Sequence, residues 1–456
     1  MNRLTRSLYI FTLTLLIMGL GIPLWSYPNN YQQILVGARS AGMGGAGTAI
    51  IGDGEVMYYN PAGIVGTQFD GISISVNNYG LYYMYESSRQ RAGDSLNPEL
   101  KHTSGVLIIP TATTMSFILD KSSPDPKHFL SIGMFVPSRV DLEAESTATD
   151  GSYIHHVKNW MFNYIYQFSV NYATKLNRFL AFGFAVVVTY SKLYRSDVFF
   201  HQDLGTPANS TMANESYNFK TVALGFSTGV VLIFDRVKIG FTLKSKQLRV
   251  YSESNYSYVV YGENPEVYWG LKVNYQRPWE LYFGVMVDII KDRLMFALDF
   301  KLYPGERQVV VDAPGLRVEF ERANAWNINA GIEWYITKVW TFRCGFFTDR
   351  SGTPKFEEDS FKDINNVRTN RYGIVFGAGI TGKNTVFNFS FTFIWGKGHQ
   401  KIKNILDFTQ YGITDLKMRE FVITIGTSYW FDSPKKQSPA QANPAPAVNV
   451  TPAQQR

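Results

Sequence analysis

One cysteine, Cys344, is all that the 456 residues contain. No intramolecular disulfide can form, so a fold stapled by bridges, common among secreted domains, is excluded. Beyond residues 8–20 no apolar run reaches the roughly 18–20 residues that a helix needs to cross a bilayer. A helical membrane protein is therefore excluded too. Charge is sparse, with Asp, Glu, Lys and Arg making 18% of the chain and a net charge of +7. Five of the surplus positive charges are Arg3, Arg6, Lys435, Lys436 and Arg456, at the two ends, and what lies between is too nearly neutral for nucleic acid. The six histidines give no centre. His102, His128, His201 and His399 are scattered, and the side chains of the adjacent His155-His156 diverge with no third ligand to hold a metal. No Ser-His-Asp arrangement can be built from the spacing. Gly42–Gly47 fits G-x-G-x-x-G, but no strand precedes it and no βαβ unit surrounds it, so it is not a dinucleotide site. No catalytic residue, metal or cofactor is expected, and the chain does not read as an enzyme.

What the sequence has in quantity is aromatic residues, 15%, and strict alternation. Phe162, Tyr164, Tyr166, Phe168, Val170 and Tyr172 alternate with Asn163, Ile165, Gln167, Ser169, Asn171 and Ala173. After the turn Lys175-Leu176-Asn177-Arg178, Leu180, Phe182, Phe184, Val186, Val188 and Tyr190 alternate with Ala181, Gly183, Ala185, Val187 and Thr189. Successive strand side chains point to opposite faces, so each strand has one apolar face and one small or polar face. Each is about as long as the ~9–11 residues of a bilayer-spanning strand. A soluble sandwich also alternates, and the connections decide between the two. Fourteen such strands can be followed from residue 71 to 431. Turns near 122–127, 175–178, 235–237, 291–292, 337–338 and 381–384 are short. Connections near 80–111, 137–159, 196–216, 250–278, 303–325, 349–371 and 396–417 are long. Short and long alternate throughout, as in an outer-membrane barrel with short periplasmic turns and long external loops.

The ends read differently. Arg3, Arg6, the apolar Leu8–Leu20 stretch, Pro23 and Ser26 form a secretory signal peptide over 1–26. Residues 432–456, rich in Pro, Ala and Gln, are expected to be a disordered periplasmic tail. Residues 27–70 are glycine-rich and lack strand periodicity.

Within that stretch, residues 37–63 read GARSAGMGGAGTAIIGDGEVMYYNPAG. This resembles the amino-terminal signature of the FadL-type long-chain fatty-acid transporters. The carriers are Gly42-Met43-Gly44-Gly45-Ala46, the acidic Gly52-Asp53-Gly54-Glu55 and Tyr59-Asn60-Pro61-Ala62-Gly63. The first part is most similar to PorV-like and spirochaete-type branches. The resemblance implies a 14-stranded antiparallel transmembrane β-barrel, 71–431, with a hatch, 27–70, inside the lumen. Gly42, Gly44, Gly45, Asn60, Pro61 and Ala62 would form and gate the hatch. Asn60-Pro61 reads equally as a helix cap and turn.

The family's route leads hydrophobic substrates from a loop groove to a pocket and out through a lateral gap in the third strand. Here that strand carries Gly133 and Pro137. Pro137 cannot donate a ladder hydrogen bond, although it could simply end the strand. A ligand groove is expected around Tyr256, Tyr258, Tyr261, Trp269 and Trp160, and a fatty-acid carboxylate near Arg89, Arg91, Lys101 or Lys158. The expected function is passive uptake of long-chain fatty acids or other hydrophobic compounds by a monomer in the bacterial outer membrane, in contact with its lipid. A PorV-like scaffold or shuttle for protein secretion is the alternative; a glycine-rich hatch argues against an open aqueous porin.

Overall fold

The structure, a computed structural model, describes residues 30–67, 70–87, 99–102, 107–149, 153–205, 210–260, 265–274, 277–313, 316–355, 367–403 and 411–431. The signal-peptide stretch and the tail lie outside them. Fourteen antiparallel strands close on themselves. They are β1 (Gly71–Ser87), β2 (Glu99–His102 and Leu107–Ile118), β3 (His128–Thr149), β4 (Tyr153–Asn177), β5 (Leu180–Asp203), β6 (Thr211–Ile233) and β7 (Val237–Lys244 and Leu248–Val260). They continue as β8 (Glu266–Tyr268 and Glu280–Ile290), β9 (Leu294–Tyr303), β10 (Ala325–Tyr335), β11 (Trp340–Asp349), β12 (Val367–Thr381), β13 (Thr385–Lys403) and β14 (Tyr411–Trp430). β14 returns to β1, from Gly71↔Trp430 to Ser87↔Asp415, so the barrel has no free edge.

Alternation sets which face is which. Along β4, Phe168 and Val170 are 50% and 52% exposed, whereas Asn171 is 0%. Along β5, Phe184 faces out and Ala185 is buried. The outward large residues, among them Phe241, Phe283, Phe300, Ile332, Phe376 and Phe389, recur on successive strands. Leaving such a belt in water would forfeit about 25 cal/mol for every Å² of apolar surface, and hydrocarbon removes that penalty. No helix among the described residues is long and apolar enough to cross a membrane.

The short turns fall where alternation places them, but the long connections are mostly not loops. β4 and β5 are 25 and 24 residues long and stay paired to Tyr153↔Asp203. Most of 137–159 and 196–216 is therefore strand. Antiparallel pairing satisfies the backbone wherever two strands run on together. Above the apolar belt neither face meets lipid, so the alternation that betrays a strand disappears. Between β9 and β10 the chain forms a hairpin, Glu306–Ala313 with Leu316–Arg322. It folds inward: Val310 and Val311 pack with Val273 on Leu193 of β5 and Phe219 of β6.

Residues 30–67 lie inside the lumen and are almost wholly buried. They contain one short helix, α1 (Ala38–Gly42), and two 3₁₀ turns, Gly54–Tyr58 and Pro61–Gly66. The Tyr59 hydroxyl accepts from Val36 N at 3.1 Å and donates to Val36 O at 2.8 Å, tying the start of the segment to its end. Its apolar side chains make no core of their own. Met43, Ala46, Ala49, Ile50 and Val56 pack with Met286, Met295 and Ala297 of the wall.

Candidate functional site

The inner segment touches the wall where the wall has no side chains. Three cross-strand glycine pairs face the lumen: Gly183↔Gly229, Gly240↔Gly284 and Gly331↔Gly345. A Cβ on Gly183 would lie 2.3 Å from Ala62 N, one on Gly240 2.1 Å from Thr48 O, and one on Gly345 2.2 Å from Gly44 N. Backbone therefore packs on backbone at three stations around the barrel. On the segment's own side, Gly44 and Gly45 have φ of 65° and 77°, the left-handed region in which a Cβ is strained.

Charged side chains at lumen positions of β9–β12 hold the same segment. Asp299 accepts from Gly47 N at 2.9 Å and from Thr48 Oγ1 at 2.7 Å. Lys301 donates to Gly45 O at 2.8 Å, and Asn329 to Gly44 O at 2.6 Å. Asp349, paired with Arg371, accepts from Tyr31 N and Gln32 N at 3.1 Å each. Glu333 lies between Arg39 Nη2 at 2.7 Å and Arg343 Nε at 2.7 Å. Within the segment, Glu55 accepts from Ser40 N at 2.6 Å. Burial, reinforced by Asp53, pushes its carboxyl up to about 8.

Asn60 is the cap of the second 3₁₀ turn, accepting from Ala62 N at 3.0 Å, with Pro61 in the first position. It also leaves the turn, donating to Thr48 O at 2.7 Å and to Val230 O of β6 at 3.1 Å. Asn171 of β4 donates to Pro61 O at 3.0 Å. Both readings of Asn60-Pro61, cap and wall contact, hold at once.

Pro137 does not end β3, which runs on to Thr149. The β3–β4 ladder passes from Phe135↔Gln167 to Ser138↔Ile165, so Val136 and Pro137 bulge opposite Tyr166. On the other side, among the described residues, the β2–β3 ladder stops at Ala112↔Phe135 and is next seen at His102↔Ala144. Pro110 of β2, also without an N–H, sits at a register shift against β1. Gly133 lies below the break, in intact ladder, and the Phe135 ring folds into the space its side chain would take.

Beside this break is a cavity of about 40 Å³, enough for a few waters. Met57 and Tyr58 of the inner segment and Phe135 of β3 give it an apolar wall; Lys244, Arg277 and Glu280 give it a charged one. Arg277 lies 2.8 Å and Lys244 3.8 Å from Glu280, two basic side chains to one carboxylate. Lys244 Nζ also stands 4.0 Å from the Tyr58 ring centroid. Burial pushes the Tyr58 phenol up to about 12, so it stays neutral. The arrangement suits an apolar group with an anionic or polar end. Among the described residues no group of three potential metal ligands occurs.

Of the residues singled out from sequence, Tyr261, Arg89 and Arg91 lie outside the described residues, and Lys101 is placed on β2 without a described side chain. Tyr256 and Tyr258 lie on β7. The Tyr256 ring packs, tilted, at 4.8 Å from Tyr217 and at 6.0 Å from Tyr268, an aromatic group that the sequence did not assemble. Trp269 is exposed and Trp160 half-buried. Lys158 is on β4, not in a loop, with its Nζ 4.5 Å from the Trp160 ring. Lys244 and Arg277 were missed. Lys244 was legible, because it shares lumen parity with Gly240 and Thr242; Arg277 sits in an irregular stretch with no pattern to betray it.

No family model matches this chain, and no curated protein sequence does. Solved structures do. A Pseudomonas aeruginosa FadL homologue aligns over 90% of this chain and 100% of its own, with a TM-score of 0.60 at 13% identity. The fold is that of the FadL-type barrels. The Pseudomonas putida toluene transporter TodX covers 87% of this chain and 98% of its own (TM-score 0.61, 13% identity). The CymD monoaromatic hydrocarbon channel covers 89% and 99% (0.59, 14%). The FadL-type fold thus extends over nearly the entire chain at only 13–14% sequence identity.

Proposed function

We propose that this barrel takes up hydrophobic compounds, long-chain fatty acids among them, across the bacterial outer membrane without energy input or covalent chemistry. Residues 27–70 act as the hatch, and the β2–β3 break acts as the lateral opening. The observation that carries the reading is the cavity between Tyr58, Phe135, Lys244 and Arg277, set beside that interrupted ladder. Its apolar side accepts a hydrocarbon chain, and its two basic side chains, set against one carboxylate, favour an acid over a neutral head. The neighbours described as toluene and monoaromatic hydrocarbon transporters support the class of cargo. At about 40 Å³ the cavity is smaller than any such cargo, so the hatch must shift for passage.

The test is labelled oleate uptake beside small-solute conductance, in cells lacking other fatty-acid transporters. Intact protein should take up oleate without conducting small solutes. Deleting residues 37–63 should reverse both. No uptake by the intact barrel, together with a stoichiometric co-purifying protein, would overturn the transporter reading in favour of a secretion scaffold.

A further inference from the structure

The wall has a second break, on the opposite side of the same cavity. β7 pairs with the lower piece of β8 as far as Lys244↔Glu280 and with the upper piece only from Tyr256↔Tyr268. Between these, regular antiparallel pairing would supply close to one hydrogen bond per residue. The described backbone contacts are Gln247 N to Arg277 O at 3.2 Å and Leu271 N to Ser254 O at 3.0 Å. Side chains add Val273 N to Ser252 Oγ at 3.1 Å and Arg249 Nη1 to Val273 O at 3.2 Å. Pro278 has no N–H to give.

The reason is visible in the packing. Val273 leaves the wall for the lumen, where it is fully buried against Leu193, Phe219 and Val310, and Asn274 N donates to Val310 O at 2.8 Å. The inward hairpin thus draws β8 away from β7. On β7 itself, alternation fails twice, at Ser245–Gln247 and again between the pairs Val222↔Tyr251 and Ala223↔Arg249.

This seam joins an apolar lip to a charged interior. Leu248 and Val250 are 61% and 69% exposed, more than any belt residue named above, and Trp279 is exposed where β8 rejoins the wall. Behind the lip lie Ser245, Gln247, Lys244 and Arg277, all lining the cavity. Phe226, a residue of the outer face, is among the residues that border it, and its backbone N donates to Ser245 Oγ at 2.9 Å. Ser227 Oγ, beside it, is buried and has no hydrogen-bond partner. At the β3 break, by contrast, Phe135 and Val136 are buried and close the wall from within.

We propose that the β7–β8 seam is a second lateral portal. It binds an anionic amphiphile with the head at Lys244 and Arg277 and the acyl chain lying over Leu248 and Val250 into the membrane. The site rests on the transporter reading for its direction of traffic, but not for the binding itself.

Two measurements test it on the full-length mature barrel in phosphatidylethanolamine vesicles. The first is photolabelling with a palmitate bearing a diazirine on its chain, and with phosphatidylglycerol bearing the same chain, mapped by peptide mass spectrometry. Label on the Leu248–Val250 peptide is expected. Labelling by palmitate alone identifies a free acid as the occupant, and labelling by phosphatidylglycerol alone a membrane lipid; both support the site. Label confined to peptides around Val136, or none above that of a heat-unfolded control, overturns it. In Lys244→Gln the label at the lip should fall at least fivefold for either probe, and an unchanged yield overturns the headgroup assignment.

The second is a reversible lock. Ser254→Cys with Leu271→Cys, in a Cys344→Ser background, should stop oleate uptake when oxidised and restore it on reduction. Unchanged uptake in the oxidised protein overturns the portal while leaving the transporter reading intact. If the unlocked protein takes up no oleate but the lip is labelled, the transporter reading fails and the binding site stands.

Discussion

Along β9–β12 the inner segment meets charge: Asp299, Lys301, Glu333, Arg343, Asp349 and Arg371 all reach its backbone or its Arg39 side chain, directly or through a partner. Along β3–β7 it meets fewer charges: one cation, Lys244 over the Tyr58 ring, beside the Asn60 and Asn171 amides, the Ser131 and Ser138 hydroxyls, the Tyr58 and Phe135 rings, 5.2 Å apart, and bare glycine. The ladders are regular on the first side and broken on the second, and the cavity lies on the second. A plug held equally all round could neither move nor leave a path. On the proposed uptake route, a segment anchored by charge on β9–β12 and held by fewer such contacts on β3–β7 would pivot away from the breaks while staying attached, with one half of the wall holding and the other passing cargo.

The sharpest way to break this comparison is Glu333→Gln. It leaves the buried Arg39 and Arg343 without their shared carboxylate, and removing one partner of a buried ion pair costs about 3–5 kcal/mol. Limited proteolysis of the detergent-purified barrel should then cut within residues 30–67, with strand content by circular dichroism unchanged. Wild-type resistance would mean that β9–β12 is not the anchor.

Next come the glycine stations. Gly345→Val on the anchored side and Gly183→Val on the other both drive a side chain into inner-segment backbone, and each should cost ~1–3 kcal/mol in thermal unfolding. Gly183→Val should also lower uptake more than Gly345→Val, because it displaces the half that borders the cavity. Gly377→Ala, whose Cβ would stand 3.2 Å from Gly42 Cα, is a milder clash and should cost less than either.

Asn60→Ala displaces no backbone and should lower uptake less than Gly183→Val. It removes the cap and the contacts to Thr48 O and Val230 O, each worth ~0.5–1.5 kcal/mol, and should weaken uptake without opening an aqueous leak, as read by single-channel conductance.

The gentlest probe is pH. Glu55 titrates near 8 when buried and near its ordinary value when the segment is released, so the docked form binds the extra proton. Docking is therefore firmest below about pH 4.5 and loosens as pH rises towards about 8, then levels off. Proteolysis of residues 30–67 should quicken over that range in wild type and stay flat in Glu55→Gln.

Much of this was legible in the chain. Alternation alone placed fourteen strands and the outward sense of Phe184 against Ala185, because a strand's period of two forces the choice once one face meets hydrocarbon. Mid-strand charges at lumen parity, such as Asp299, Lys301, Glu333 and Arg343, were legible in principle for the same reason. Strand length was not, since the pattern fades above the belt while the ladder continues. The glycines of residues 37–63 pointed to tight packing, but their partners Gly183, Gly229, Gly331 and Gly345 read only as small residues on a polar face. Pairing them needed the cross-strand register, and matching each pair to Pro61-Ala62 or Met43-Gly44 needed the fold of the inner segment. The cavity was decided entirely by tertiary structure. Tyr58, Phe135, Lys244 and Arg277 lie far apart in sequence, and they meet because a bulge in β3 and an inward-drawn β8 interrupt a ladder whose continuation would have closed the wall.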